Sequence, residues 1–190
     1  MIILLTGPSA TGKSTIAEFL GDAFQLPVLG EREILRSLAH PHGFTRTRHW
    51  LAEVGVNAVL NAALAETVRK IQEEKNEQGI ILDGSYDRRL PQTLREVFSG
   101  ERVLIISVAA EERIREERMM KRMGTTTEEA LSEMQLIDRF KEYAGMAEII
   151  RDADLVVENN RSIDEVMREL QIRLESEIFG HWFGPERMKG

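Results

Sequence analysis

Eight consecutive residues, Gly7-Pro8-Ser9-Ala10-Thr11-Gly12-Lys13-Ser14, match G-x-x-x-x-G-K-[ST] in full. They stand one residue after the apolar run Ile2-Ile3-Leu4-Leu5. The chemistry of that order is phosphate binding. A buried strand stops, glycines let successive backbone N–H groups turn inward around an anion, and a helix starts whose dipole faces the same anion. Lys13 adds a charge for the transferring group, Ser14 a hydroxyl for Mg²⁺, and Gly7 to Thr15 together make an ATP-binding loop. Asp83, at the end of the apolar run Gly79-Ile80-Ile81-Leu82, stands where a strand-end acid would orient Mg²⁺ or its waters. Arginines outside the loop, Arg36 in Glu33-Ile34-Leu35-Arg36 and Arg88 and Arg89 beyond Asp83, supply planar forks for a second phosphate. Arg115, Arg118 and Arg122 lie at i, i+3 and i+7, one face of a helix.

Periodicity supplies the elements that must position these residues. Apolar residues Ile16, Ala17, Phe19, Leu20 and Phe24 predict an amphipathic helix after the loop. Leu26 to Gly30 reads as a second strand with Pro27 at its start, and Glu31 to Ala39 as helix. His40-Pro41-His42-Gly43 breaks it, and its histidines read as exposed loop residues. A helical pattern runs from Thr47 to Asn76, with Gly55 placed to bend or split it. Strands over Gly79–Asp83, Arg102–Val108 and Leu155–Val157 are continuous apolar runs, the pattern of parallel strands covered on both faces. Glu111 to Ile150 is charged and helical, broken around Met123–Thr127, a candidate mobile lid, with Thr127, Glu128 and Glu129 opening the next helix. Ser162 and Glu165 form a capping-box signature for the last helix. Five strands alternating with helices predict an α/β fold, a doubly wound parallel sheet whose ligands sit at the carboxyl ends of the strands.

At 190 residues and 42% hydrophobic composition the chain suits one domain over 1–190. A net charge of −7 argues against a nonspecific nucleic-acid or membrane-surface binder, which needs a basic field. The absence of cysteine excludes disulfides and thiolate metal sites and points to the cytoplasm. The N-terminal apolar run is too short for a signal peptide or a membrane span. The aromatic tail from Ile178 to Pro185 is expected to pack back on the domain, with a dimer contact as the alternative, so that monomer and homodimer both stay open.

On these residues the chain resembles the nucleoside monophosphate kinases, the adenylate-kinase-like and dephospho-CoA-kinase-like branch of P-loop kinases. Glu33-Ile34-Leu35-Arg36 is similar to the family's D-x-L-R helix, with Glu for Asp, and Asp83-Gly84-Ser85-Tyr86-Asp87-Arg88-Arg89-Leu90-Pro91-Gln92 resembles D-G-F-P-R-x-x-P-Q with one residue inserted. The resemblance implies that Arg36 and Arg88 hold an acceptor phosphate and Gln92 reads the acceptor base; the insertion leaves Arg88 and Arg89 as alternatives. The segment of about 31–76 would be the acceptor side. A lid over about 115–140 resembles that of short-lid archaeal relatives, with Met123-Gly124 where the family has a second lid arginine and Arg139 shifted beside Asp138. Arg118 and Arg122 would cover the donor or transferring group. Ala153 to Ser162 resembles A-D-x-x-I-x-N-x-x-S and would border the donor adenine with Asn160. The implied activity is Mg²⁺-dependent transfer of the ATP γ-phosphoryl group to a nucleoside or deoxynucleoside monophosphate, by positioning and electrostatics with Lys13, Asp83, Arg88 and Arg122 and no general base. A dephospho-CoA or other small-metabolite kinase is the alternative within the fold. A nucleotide-binding interaction protein with slow ATPase activity is the alternative of another class.

Overall fold

The computed structural model describes residues 1–45 and 47–175; the aromatic tail lies outside them. Five parallel strands, β1 (Ile2–Thr6), β2 (Val28–Gly30), β3 (Ile80–Asp83), β4 (Val103–Ala109) and β5 (Leu155–Glu158), form one sheet in the order β2-β3-β1-β4-β5. Residues alternate between the faces of a strand, so each apolar run feeds two cores. Ile3, Leu5, Ile81, Leu104 and Ile106 pack on one face against α1 (Lys13–Phe24) and α9 (Ile163–Leu174). Ile2, Leu4, Ile80, Leu82 and Ile105 pack on the other against α2 (Glu31–Ala39), α4 (Val56–Glu74), α5 (Leu90–Val97) and α8 (Met146–Arg151). Burial on both faces is why these strands carry no polar alternation.

β1 is central, and the chain leaves it towards β2 on one side and leaves its neighbour β4 towards β5 on the other. That reversal opens a crevice at the carboxyl ends of β1 and β4, where the phosphate loop follows β1. Register fixes what stands beside it. Leu5 pairs with Asp83 and Gly30 with Asp83, so the ends of β1, β2 and β3 share one edge.

Several boundaries differ from the sequence reading for physical reasons. β2 begins at Val28, because Pro27 cannot extend the ladder; its carbonyl accepts from Ile81 N instead. The long helical pattern is two helices, α3 (Thr47–Val54) and α4, separated by Gly55 at φ 85°, a left-handed-side conformation that ends a helix. Residues 40–42 form a 3₁₀ turn in which the His42 ring stacks on Trp50. The charged stretch is three helices: α6 (Glu112–Met123), α7 (Thr127–Ala144) and α8, broken at Gly124 and again at Gly145. Helix α7 does open at Thr127 with Glu128 and Glu129 in its first turn, and Thr126 caps it in a capping box with Glu129. Ser162 and Glu165 make the same box at α9. Met119, Ala130 and Met134 form a small core of their own between α6 and α7. No helix among the described residues is long and apolar enough to cross a membrane.

Candidate functional site

The phosphate loop is folded by its carbonyls as much as by its glycines. Gly7 turns at φ 131°, and a Cβ there would lie 2.3 Å from the Val108 carbonyl oxygen, so only glycine lets β1 leave the sheet so close to β4. Gly12, at φ 95°, meets the Asn159 side-chain amide in the same way. Each loop carbonyl from Gly7 to Ser9, and Thr11, faces a side-chain donor. Lys141 Nζ approaches Gly7 O at 3.5 Å, Lys13 Nζ donates to Pro8 O at 2.5 Å, and Arg115 Nε donates to Ser9 O at 2.8 Å. Thr11 O accepts from Asn159 Nδ2 at 2.8 Å and from Arg118 at 3.2 Å. These bonds fix the peptide planes of the loop, on which the direction of its N–H groups depends. One of those groups is taken: Ser9 N donates to Asp138 Oδ1 at 2.7 Å, and Asp138 also pairs with Arg115.

Lys13 starts α1, so its ammonium lies near the positive end of the helix dipole. Burial and then the Lys141 ammonium hold its pKa well below the ordinary lysine value, against the opposite pull of Asp83 and Asp138. Ser14 and Thr15 are exposed on the first turn of α1. Asp83 is half-buried at the end of β3, beside Leu5 in the sheet, and Thr6 Oγ1 binds the next strand's exit by donating to Ser85 O at 2.6 Å. A hydroxyl and a carboxylate beside a phosphate loop are the oxygen donors that suit Mg²⁺, which keeps waters and substrate phosphates as its remaining ligands. No group of three His, Asp or Glu side chains is placed to hold a metal ion among the described residues.

Facing the loop from α2 is a group that sequence reading passed over. Glu31 is buried at the helix start, and its Oε2 has no hydrogen-bond partner. Burial pushes its carboxyl pKa well up, as do the charges of Asp87 and Asp83, while Lys141 and Lys13 pull it down. Ser85 Oγ is a second buried oxygen without a partner. Arg32, the next residue, is exposed, yet its charge acts on Lys141, Tyr86 and Arg122, which sets it among the groups around the loop. Arg36, one helical turn on, is exposed and makes no ion pair among the described residues. Arg89 is committed to Asp87, donating from Nε at 2.9 Å and from a terminal nitrogen at 2.6 Å, and to Asn61 at 2.6 Å. Arg88 is freer: its side chain is 66% exposed and its only ion pair among the described residues is Glu148 at 3.5 Å. Gln92 is exposed and bonds Glu96 along its own helix.

The three arginines of α6 divide their work. Arg115 and Arg118 reach back to the loop, as above, and Arg118 also donates to Asn159 O at 3.0 Å. Arg122 donates to the Met119 thioether and, with partial burial and Arg32 nearby, has its pKa lowered. Asn160 accepts from Glu111 N at 2.8 Å at the start of α6; its neighbour Asn159 is the one on the loop. Arg139 has no ion pair among the described residues, whereas Asp138 and Lys141, on the same helix, both touch Ser9.

The stretch from residue 6 to residue 136, from the end of β1 into α7, matches the AAA domain family AAA_17. The chain belongs to this family. As an AAA domain it is similar in sequence to UPF0200 proteins of archaea. One from Pyrococcus horikoshii is 26% identical, covering 96% of this chain and all of that protein. Another, from Thermococcus kodakarensis, is 29% identical over 94% of this chain and 98% of the other. Among solved structures it is similar to a shikimate kinase from Bacteroides thetaiotaomicron, with 14% identity, a TM-score of 0.65 and coverage of 92% of this chain and 98% of that one. A gluconokinase from Sinorhizobium meliloti gives 18% identity, a TM-score of 0.58 and 95% coverage of both. At such identities the likeness is one of fold: this AAA domain carries the P-loop kinase architecture that the motifs predicted.

Proposed function

We propose that this AAA domain is a Mg²⁺-dependent ATP phosphotransferase acting on a small phosphorylated acceptor, with nucleoside and deoxynucleoside monophosphates as the first acceptor class. The observation that carries it is the concentration of arginine around a loop already furnished with Lys13. Arg32 from α2 and Arg122 from α6 stand close enough for one to lower the other's pKa, and Arg36 and Arg88 add exposed guanidinium groups on the same edge. Exposed guanidinium groups, Arg36 with no ion pair and Arg88 with one long ion pair among the described residues, suit a second anion, distinct from the one in the loop. In this reading α2 to α4 are the acceptor side and α6 with α7 the lid over one domain.

Lys13 and the loop's N–H groups hold the donor phosphates in line with the acceptor. Ser14 and Asp83 would hold Mg²⁺, which would supply positive charge beside the donor phosphates. Arg122 covers the transferring group, and Arg115 and Arg118 keep the loop shaped by holding its carbonyls. Such catalysis is positional and electrostatic.

Glu31 favours a second acceptor class. Burial raises the pKa of this carboxyl, and a carboxylate of raised proton affinity suits taking the proton of an attacking hydroxyl, which an ionised phosphate does not need. A phosphorylated metabolite with a free hydroxyl, as in dephospho-CoA, fits that group.

The test is a coupled ADP-release assay against a panel of nucleoside monophosphates and phosphorylated alcohols. At least one should raise ADP release well above the rate with ATP alone, and Lys13→Ala should lower turnover by about a hundredfold, roughly 3 kcal/mol of barrier. No response to any acceptor, with slow ATP hydrolysis unchanged, would favour a nucleotide-binding interaction protein.

A further inference from the structure

A second lysine stands on the donor side. Lys141, in the last turns of α7, is buried with 9% exposure and directs its ammonium at the first half of the phosphate loop. An ammonium carries three donors and is costly to bury without strong acceptors. What Lys141 has is poor. Ser9 Oγ lies 3.2 Å away, Gly7 O 3.5 Å and Asp138 Oδ1 3.9 Å, the last beyond hydrogen-bond reach. Asp138 is in any case occupied by Ser9 N–H and Arg115.

The groups around it do not make up the deficit. Lys141 faces Asp138 on its own helix, Glu31 and Arg32 on α2, Arg115 on α6 and Lys13 on α1. Three of these are cations, and Glu31 is itself held towards its neutral form by burial. Burial therefore brings the Lys141 pKa down to about 8, and Lys141 in turn lowers that of Lys13. If the lysine served only to pack α7 against the loop, a methionine or leucine would fill the same space without this cost. Two ammonium groups on adjacent loop carbonyls, Lys13 on Pro8 O and Lys141 on Gly7 O, suit an anion of more than one charge.

We propose that Lys141 is a second lysine ligand of the donor's terminal phosphate, closing with Lys13 a two-lysine clamp that distinguishes a nucleoside triphosphate from a diphosphate. This rests on the donor half of the reading above, that the loop binds ATP. The loop lysine of such a motif reaches the donor's outer phosphates, and Lys13 Nζ sits on Pro8 O beside the Gly7 and Ser9 atoms that Lys141 approaches, so a terminal phosphate there would meet both ammonium groups. A diphosphate ends short of it. Helix α7 then contributes directly to donor recognition, with Ser9 Oγ the nearest partner of Lys141.

Isothermal titration with Mg²⁺ and either a non-hydrolysable ATP analogue or ADP tests this on the full chain. Lys141→Met should weaken the analogue by at least about tenfold, about 1.4 kcal/mol, and ADP by less than about twofold. Lys141→Arg, which keeps the charge, should recover part of the selectivity. Equal losses for both nucleotides, or none, would overturn the clamp in favour of a packing role. Wild-type protein supplies a check that needs no variant: its preference for the analogue over ADP should shrink as pH rises above about 8, and a flat preference would also overturn it. Wild type that binds the analogue but transfers phosphate to no acceptor would refute the kinase reading and leave the clamp standing. Wild type that binds neither nucleotide would refute both.

Discussion

Glu31 illustrates what a single residue type conceals. In the sequence it is an acid in the first turn of a helix, the ordinary place for one, and nothing about its neighbours reports that it is buried with an oxygen unpaired. Lys141 is similar, a lysine in a charged helical stretch that turns inward onto the loop. Loop glycines, by contrast, are legible, because only glycine tolerates the Gly7 and Gly12 conformations and the motif's spacing follows from that. Glu31 also makes a stability prediction with a definite sign. Its folded pKa is raised, chiefly by burial, so its favourable contribution is complete below the unfolded carboxyl range and is lost as pH rises through the folded value. At pH 8 Glu31→Gln should therefore be more stable than wild type, by about 1–3 kcal/mol, the cost of an unsatisfied buried group. Thermal unfolding should show a gain of roughly 2–4 °C per kcal/mol for a protein of this size, shrinking towards pH 4. A loss at pH 8 would mean that the carboxylate is paired in solution.

Among the elements, α6 and α7 carry the most consequence. The break between them was readable because Gly124 and a capping residue stand together, and Gly124 does adopt φ 62°. The second break was not, since Gly145 sits in a sequence with helical periodicity on both sides. Its reason is tertiary: Gly145 has φ 105°, and a Cβ there would lie 2.6 Å from Arg88 Cβ. Helix α5 was also missed, being only eight residues long and opening with Pro91 at its start. Met123 to Thr127 joins two helices that touch the donor loop, and its glycine has open space around it. Binding of a bisubstrate dinucleotide should protect this junction from proteolysis, with cleavage slowed several-fold relative to free protein. Equal cleavage in both states would make the junction a static loop.

For the whole molecule, the sheet order decides which distant segments meet. Arg36 and Arg88 are far apart in sequence, but β2 and β3 are neighbours and end on the same edge, which brings the start of α2 and the chain after Asp83 together. The strand pattern made that convergence legible; which arginine is free to act was not, since it depends on Asp87 and Asn61 having claimed Arg89. Arg36→Ala and Arg88→Ala should each raise the acceptor KM and lower kcat/KM by about tenfold or more, a loss of about 1.4 kcal/mol, while ATP affinity stays nearly unchanged. Loss of ATP affinity in these variants would place the arginines on the donor instead.

Arg88 is also joined to α7. Its backbone N–H donates to Ala144 O at 3.1 Å, and its aliphatic stem fills the space beside Gly145, while α7 reaches the phosphate loop through Asp138 and Lys141 one to two turns earlier. One helix thus abuts both the phosphate loop and Arg88. If the loop holds the donor and Arg88 the acceptor, as proposed above, a shift of α7 at one end is felt at the other and the two substrates are linked. By reciprocity, whatever factor the acceptor exerts on the affinity for nucleotide, the nucleotide must exert equally on the affinity for acceptor.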